Sequence, residues 1–91
     1  KQDSLLHIAC ASGDEAMAAL LIENGVELDA TNEKGLTPLH VAARNGHINI
    51  VRLLCLSGCD VDKMNRGIRA DVTAIKYGHL EIANLLDKLR N

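Results

Sequence analysis

The chain is expected to fold as an all-α solenoid of three stacked helix-turn-helix units joined by projecting turns. Three observations predict this. First, its 91 residues nearly repeat themselves 33 residues on: Leu6-His7-Ile8-Ala9 returns as Leu39-His40-Val41-Ala42, Gly13 as Gly46, Leu20-Leu21 as Leu53-Leu54, Gly25 as Gly58, and Leu28-Asp29 as Val61-Asp62. A fixed period of this length marks a stack of like units, none able to bury its apolar face alone. Second, the apolar residues are mostly Ala, Leu, Ile and Val, with Tyr77 the lone aromatic, and small aliphatics suit close helix-on-helix stacking. Third, glycines and polar clusters recur where helix ends and turns are needed.

Unit 1, about residues 1–30, opens with Ser4-Leu5 where unit 2 has Thr37-Pro38. Its first helix carries Leu5, Leu6 and Ile8. A repeat that closes a stack shows polar residues on its outer face, so further repeats upstream of this apolar start are expected.

Unit 2, about residues 31–63, is the most regular. Thr37 is placed to N-cap a helix over 38–45, its hydroxyl accepting an orphan N–H, and Pro38 takes the first helical position, where its fixed φ helps and its missing N–H costs nothing. Gly46 breaks that helix. A second helix over 47–57 sets Ile50, Val51, Leu53 and Leu54 at helical spacing, and Gly58 ends it in the left-handed conformation. The polar runs around Asn32-Glu33-Lys34-Gly35 and Asn65-Arg66-Gly67 read as projecting turns.

Unit 3, about residues 64–91, starts in register, with Asn65 answering Asn32. It then loses one residue, so that Gly78-His79 answers Gly46-His47 and Leu85-Leu86 answers Leu53-Leu54. Arg69-Ala70-Asp71-Val72 stands where unit 2 has Thr37-Pro38-Leu39-His40. Cap, proline and histidine are lost together, which leaves this first helix with the least local support. The second helix, from Leu80 to about Arg90, has Asn84, Asp87 and Lys88 where unit 2 has Arg52, Cys55 and Leu56. It lacks a terminating glycine, and unit 3 is therefore expected to be a polar C-terminal cap.

Glu33-Lys34-Gly35-Leu36-Thr37-Pro38-Leu39-His40-Val41-Ala42-Ala43-Arg44-Asn45-Gly46-His47 closely resembles the ankyrin-repeat motif, completed by Ile50-Val51-Arg52-Leu53-Leu54 and Gly58-Cys59-Asp60-Val61-Asp62. The resemblance covers all three units. The tetratricopeptide unit, of about 34 residues, has aromatic anchors that this chain lacks. The resemblance implies an ankyrin-repeat solenoid that binds a protein partner, without catalysis, through a concave face of turn tips and first helices. By matched positions that face offers Glu33, Lys34, Leu36, Arg44 and Asn45 from unit 2, and Arg66, Ile68, Arg69, Lys76 and Tyr77 from unit 3. Apolar residues exposed among charges are what an interface hot spot looks like, which singles out Leu36, Ile68 and above all Tyr77. For Leu36 and Ile68, packing between neighbouring turns is an equal alternative. The same resemblance also fits a regulatory or scaffold segment of a larger enzyme or channel whose activity lies outside these residues.

Other chemistry finds little support. His7 and His40 share one repeat position, and His47 and His79 another, whereas a catalytic constellation needs different residue types converging on a point. The resemblance implies that the first pair ties helix to turn by hydrogen bonds. Cys55 and Cys59 lie four apart, but no second Cys or His cluster stands at zinc-site spacing, so no metal is expected. No phosphate-binding glycine loop and no Ser-His-Asp or Cys-His arrangement is present. Neither a cofactor nor a reaction is expected.

Three cysteines (Cys10, Cys55, Cys59) in apolar settings are expected to be free thiols, which points to a reducing, intracellular compartment, cytoplasmic or nuclear. No apolar run approaches the roughly 18 residues of a membrane span, and no leader is evident. Without an initiator Met at Lys1, the chain is expected to be a piece of something longer. Its net charge is −2, divided as −6 over residues 1–33 and +4 over residues 34–91. Ordinary solvated surface accounts for such a gradient first, and electrostatic orientation of a partner second. Lys63, Arg66, Arg69 and Lys76 cluster in unit 3, but without stacking aromatics or a recognition helix they offer nucleic acid only weak backbone attraction. A protein partner and a monomeric module are expected.

Overall fold

In the computed structural model, which describes residues 2–90, three antiparallel helix pairs follow one another: α1 (Leu5–Ser12) with α2 (Glu15–Glu23), α3 (Pro38–Asn45) with α4 (Ile48–Leu56), and α5 (Ala70–Lys76) with α6 (Leu80–Arg90). The first helices α1, α3 and α5 stack in one layer, and α2, α4 and α6 stack behind them. Among the described residues the only bridge joins Asn65 to Ile68 across a turn, so the fold is all-α.

Unit 2 starts its first helix on the expected Thr37, and unit 1 starts on Ser4 at the same repeat position. Thr37 Oγ1 accepts from His40 N at 3.2 Å, with Pro38 in the first turn. Ser4 Oγ accepts from His7 N at 3.2 Å, and Ser4 N donates back to His7 Nδ1 at 3.1 Å. This is a capping box in which histidine does what Glu or Gln usually does. Helix α4 falls one residue inside the expected span at each end because His47 and Ser57 flank it as caps, and Gly58 follows with φ 97°.

Unit 3 starts by another route. Arg69, at the cap position, makes no side-chain cap bond. Its Nε donates instead to Asp71 Oδ1 at 3.1 Å, while Arg90 Nε donates to Asp62 Oδ1 at 2.7 Å and Arg90 Nη1 lies 3.9 Å from Asp71 Oδ2. Asp71 occupies the register of the buried Leu6 and Leu39 and is itself only 8% exposed. A lone carboxylate there would cost on the order of several kcal/mol, which the two guanidinium groups offset. The chain Arg69–Asp71–Arg90–Asp62 thereby ties the start of α5 to the end of α6 and to the turn after α4, in place of the missing Thr-Pro-Leu-His start.

The core lies between the two helical layers. Ala9, Ala42 and Ala74 share one register and are at most 2% exposed; a methyl group there lets each first helix approach the second. Behind them Ile50 and Leu54 of α4 meet the register of Ile82 and Leu86 of α6, all buried. Each such side chain contributes about 1.5–3 kcal/mol through burial. The outer side of unit 3 is mixed. Asn84, Asp87 and Lys88 are exposed on α6, but Val72 and Ile75 are exposed on α5, although Ala43, in the register of Ile75, is fully buried.

Candidate functional site

The turn tips rest on asparagine. Before unit 2, Asn32 Oδ1 accepts from Lys34 N and Leu36 N, both at 3.0 Å, closing a three-residue tip of Glu33-Lys34-Gly35. Before unit 3, Asn65 and Ile68 exchange both backbone bonds, N to O at 2.9 and 3.0 Å, around Arg66 and Gly67. With φ of 53° and 77° at these two residues, the tip has the left-handed pair characteristic of a type I′ turn. The residue that unit 3 lacks is thus missing from the tip. Shortening it forces Arg66 into the left-handed region, the one non-glycine residue found there among those described.

Buried histidines hold these tips to the first helices. His7 Nε2 lies 2.7 Å from Leu36 O, and His40 Nε2 lies 2.8 Å from Ile68 O. A carbonyl can only accept, so Nε2 carries the proton, which leaves Nδ1 of His40 to accept from the Thr37 hydroxyl at 2.7 Å. Burial lowers the His40 pKa below its ordinary value, against the opposing pull of the Ile68 carbonyl, so the neutral form is the one the site holds. His47 and His79 reach back to the preceding unit, to Ala11 O at 3.3 Å and Arg44 O at 3.1 Å.

Between units 2 and 3 this framework leaves an open groove of about 420 Å³. Lys34, Leu36 and Arg44 border one side, and Asn65, Arg66, Ile68, Val72, Thr73, Lys76 and Tyr77 the other. Seven of the ten residues expected from the repeat register therefore converge on it. Leu36 is half-buried and packs partly on the core, whereas Ile68 and Tyr77 are 42% and 48% exposed. The Lys76 ammonium lies 5.7 Å from the Tyr77 ring centroid, a cation–π contact.

The other three expected residues do not border this groove. Glu33 lines the adjoining groove between units 1 and 2, with Gln2, Asp3, Asn32 and Val41. Arg69 is turned onto Asp71. Asn45 Nδ2 donates to Val41 O at 3.0 Å. Three lining residues had not been singled out: Asn65, Val72 and Thr73. Val72 carried a signal, since it replaces the tying histidine and therefore has no bond drawing it inward.

Among the described residues no group of three or more His, Cys, Asp or Glu could hold a metal ion, and no helix is long and apolar enough to cross a membrane. The three thiols are free, and none lines the groove. Burial pushes the Cys10 thiol up to about 12. A thiol–thiol hydrogen bond lowers Cys55 and, together with burial, raises Cys59. What the groove can do is make contact by shape, charge and apolar surface.

A family model described as ankyrin repeats, in three copies, matches residues 6–89. An ankyrin repeat and KH domain-containing protein of Caenorhabditis briggsae is 35% identical over 86 residues, covering 93% of this chain and 3% of that protein. The NAD-capped RNA hydrolase NUDT12 of Homo sapiens is 39% identical over 82 residues, covering 88% of this chain and 18% of the hydrolase. A probable E3 ubiquitin-protein ligase, XBOS32, of Oryza sativa subsp. japonica is 34% identical over 88 residues, with coverage of 93% and 18%. The chain therefore spans less than a fifth of each of these proteins.

Proposed function

The chain belongs to the ankyrin-repeat family, and we propose that it binds a protein partner, without catalysis, through the groove between units 2 and 3. Ankyrin repeats are protein-interaction modules. The observation that carries the proposal is the convergence of Lys34, Leu36, Arg44, Arg66, Ile68, Lys76 and Tyr77 on one open surface, with Tyr77 and Ile68 left exposed. Exposed apolar area ringed by cations is the composition of a binding hot spot rather than of a solvated face. The module acts as an intracellular monomer.

A second reading rests on the coverage figures. Relatives include a hydrolase and a ligase of which the matched segment is 18% each. In that reading the module recruits partners, or regulates, for an activity outside these residues.

The test compares variants on two faces. Tyr77→Ala and Arg66→Glu should weaken capture of a partner while the helical melt is retained, the first mainly by faster dissociation and the second mainly by slower association. Asn49→Ala and Glu81→Ala, on the second helices, should leave capture unchanged. Loss of capture from this second pair, with the first pair silent, would overturn the assignment.

A further inference from the structure

The two grooves of the concave face differ in charge. The one between units 1 and 2 includes Asp3 and Glu33 beside Lys34 and Arg44. The one between units 2 and 3 has Lys34, Arg44, Arg66 and Lys76 on its border and no carboxylate. The ion pairs among the described residues engage Arg69 and Arg90, so among those residues the four groove cations have no acidic partner. Arg66 is held at the tip in a backbone conformation that glycine or asparagine would adopt with less strain. A strained residue at a surface point is a pointer to function when its side chain has a use there, and this one adds charge to an already cationic rim. Under the rim, Leu36, Ile68, Val72 and Tyr77 supply an apolar floor.

From this combination we infer that the groove receives an extended acidic segment of a partner protein, with carboxylates on the four cations and an apolar side chain against Ile68 and Tyr77. The inference rests on the reading of the concave face as a protein-binding surface and specifies the chemistry of what binds. A nucleic acid strand would satisfy the cations as well, but it would find one aromatic ring and an aliphatic floor where successive bases need stacking surfaces. Uncompensated cations over apolar surface match side chains of alternating character: each carboxylate gains a charge partner, and each apolar residue leaves water.

The experiment measures fluorescence anisotropy of the full chain with short labelled peptides that share one Leu-Phe centre, flanked by glutamates, glutamines or lysines. The glutamate peptide should bind roughly tenfold more tightly than the glutamine peptide at low salt, and the gap should shrink as salt screens the exposed charges. Lys34→Gln with Lys76→Gln should shrink the same gap without a change in salt. Arg66→Asn should weaken the glutamate peptide while raising the melting temperature, a combination that a purely structural role would not give. Equal affinity for the three peptides, preference for the lysine peptide, no binding of any of them, or full displacement of the glutamate peptide by an equal concentration of oligothymidylate would each overturn the inference. The broader reading fails on a different result, capture lost through Asn49 and Glu81, so the two failures are distinguishable.

Discussion

Gly46→Ala and Gly58→Ala should differ in their effect on stability, and the difference can be worked from geometry. Both glycines have positive φ, 78° and 97°, so an added Cβ carries the left-handed penalty of about 1 kcal/mol at either site. At Gly58 nothing lies within 4 Å of the Cβ position, and the conformational term stands alone. At Gly46 the His79 ring comes within 2.6 Å of that position. The ring must move, and its bond to Arg44 O at 3.1 Å goes with it, adding about 1 kcal/mol or somewhat more. Gly46→Ala should therefore cost about 2–3 kcal/mol. With a urea slope of about 1 kcal/mol/M for a domain of this size, the midpoint should fall by about 1 M for Gly58→Ala and by about 2–3 M for Gly46→Ala. The two variants, followed by circular dichroism, can be repeated on a His79→Ala background. There Gly46→Ala should cost no more than Gly58→Ala, because the overlapping ring is gone. Equal midpoints in the parent background would refute the account of how successive repeats lock together.

Two further predictions follow from titrating groups. His40 has a lowered pKa in the fold, so the folded state binds fewer protons than the unfolded one just below the ordinary histidine value. Its contribution to stability is complete above about pH 6.5 and is lost as pH falls through the lowered folded value. Urea midpoints on an acid series should show this fall in the parent, and a His40→Gln variant, itself destabilised by about 1–3 kcal/mol, should lack that component. An acid-side slope unchanged by the substitution would contradict the assignment. For the thiols, iodoacetamide at mildly alkaline pH should modify Cys55 first, since it is half-exposed and its pKa is lowered. Cys10, fully buried and raised to about 12, should react only as the chain unfolds. Peptide mass mapping reads the order directly, and early labelling of Cys10 would show that α1 does not pack as described.

Much of this architecture is legible in the residues because each unit is local. Thr37-Pro38 starts a helix, Gly46 and Gly58 end two, and equivalent positions do equivalent things in a stack. Where local signals were lost, the outcome depended on residues far apart in sequence. Helix α5 forms without cap, proline or histidine because Arg90 returns from the end of α6 to meet Asp71 and Asp62, a meeting that repeat spacing does not announce. The candidate site divides in the same way. Register brought seven of ten expected residues to one groove, since register decides which backbone positions face inward. It does not decide what a side chain does once there. Arg69 found a carboxylate two residues away, Asn45 a carbonyl one turn back, and short-range bonds of this kind drew both from the groove. The one-residue loss in unit 3 was visible as a count, but its consequence was not: a type I′ tip with Arg66 in the left-handed region.

Where a partner sits decides which face of the stack does the binding. An amide chemical-shift map of the isotope-labelled chain, recorded while a captured protein partner is added, tests this most directly. Shifts should concentrate at Lys34, Leu36, Arg66, Ile68, Lys76 and Tyr77, with α2, α4 and α6 quiet. Shifts confined to α4 and α6, with the groove between units 2 and 3 unmoved, would contradict it.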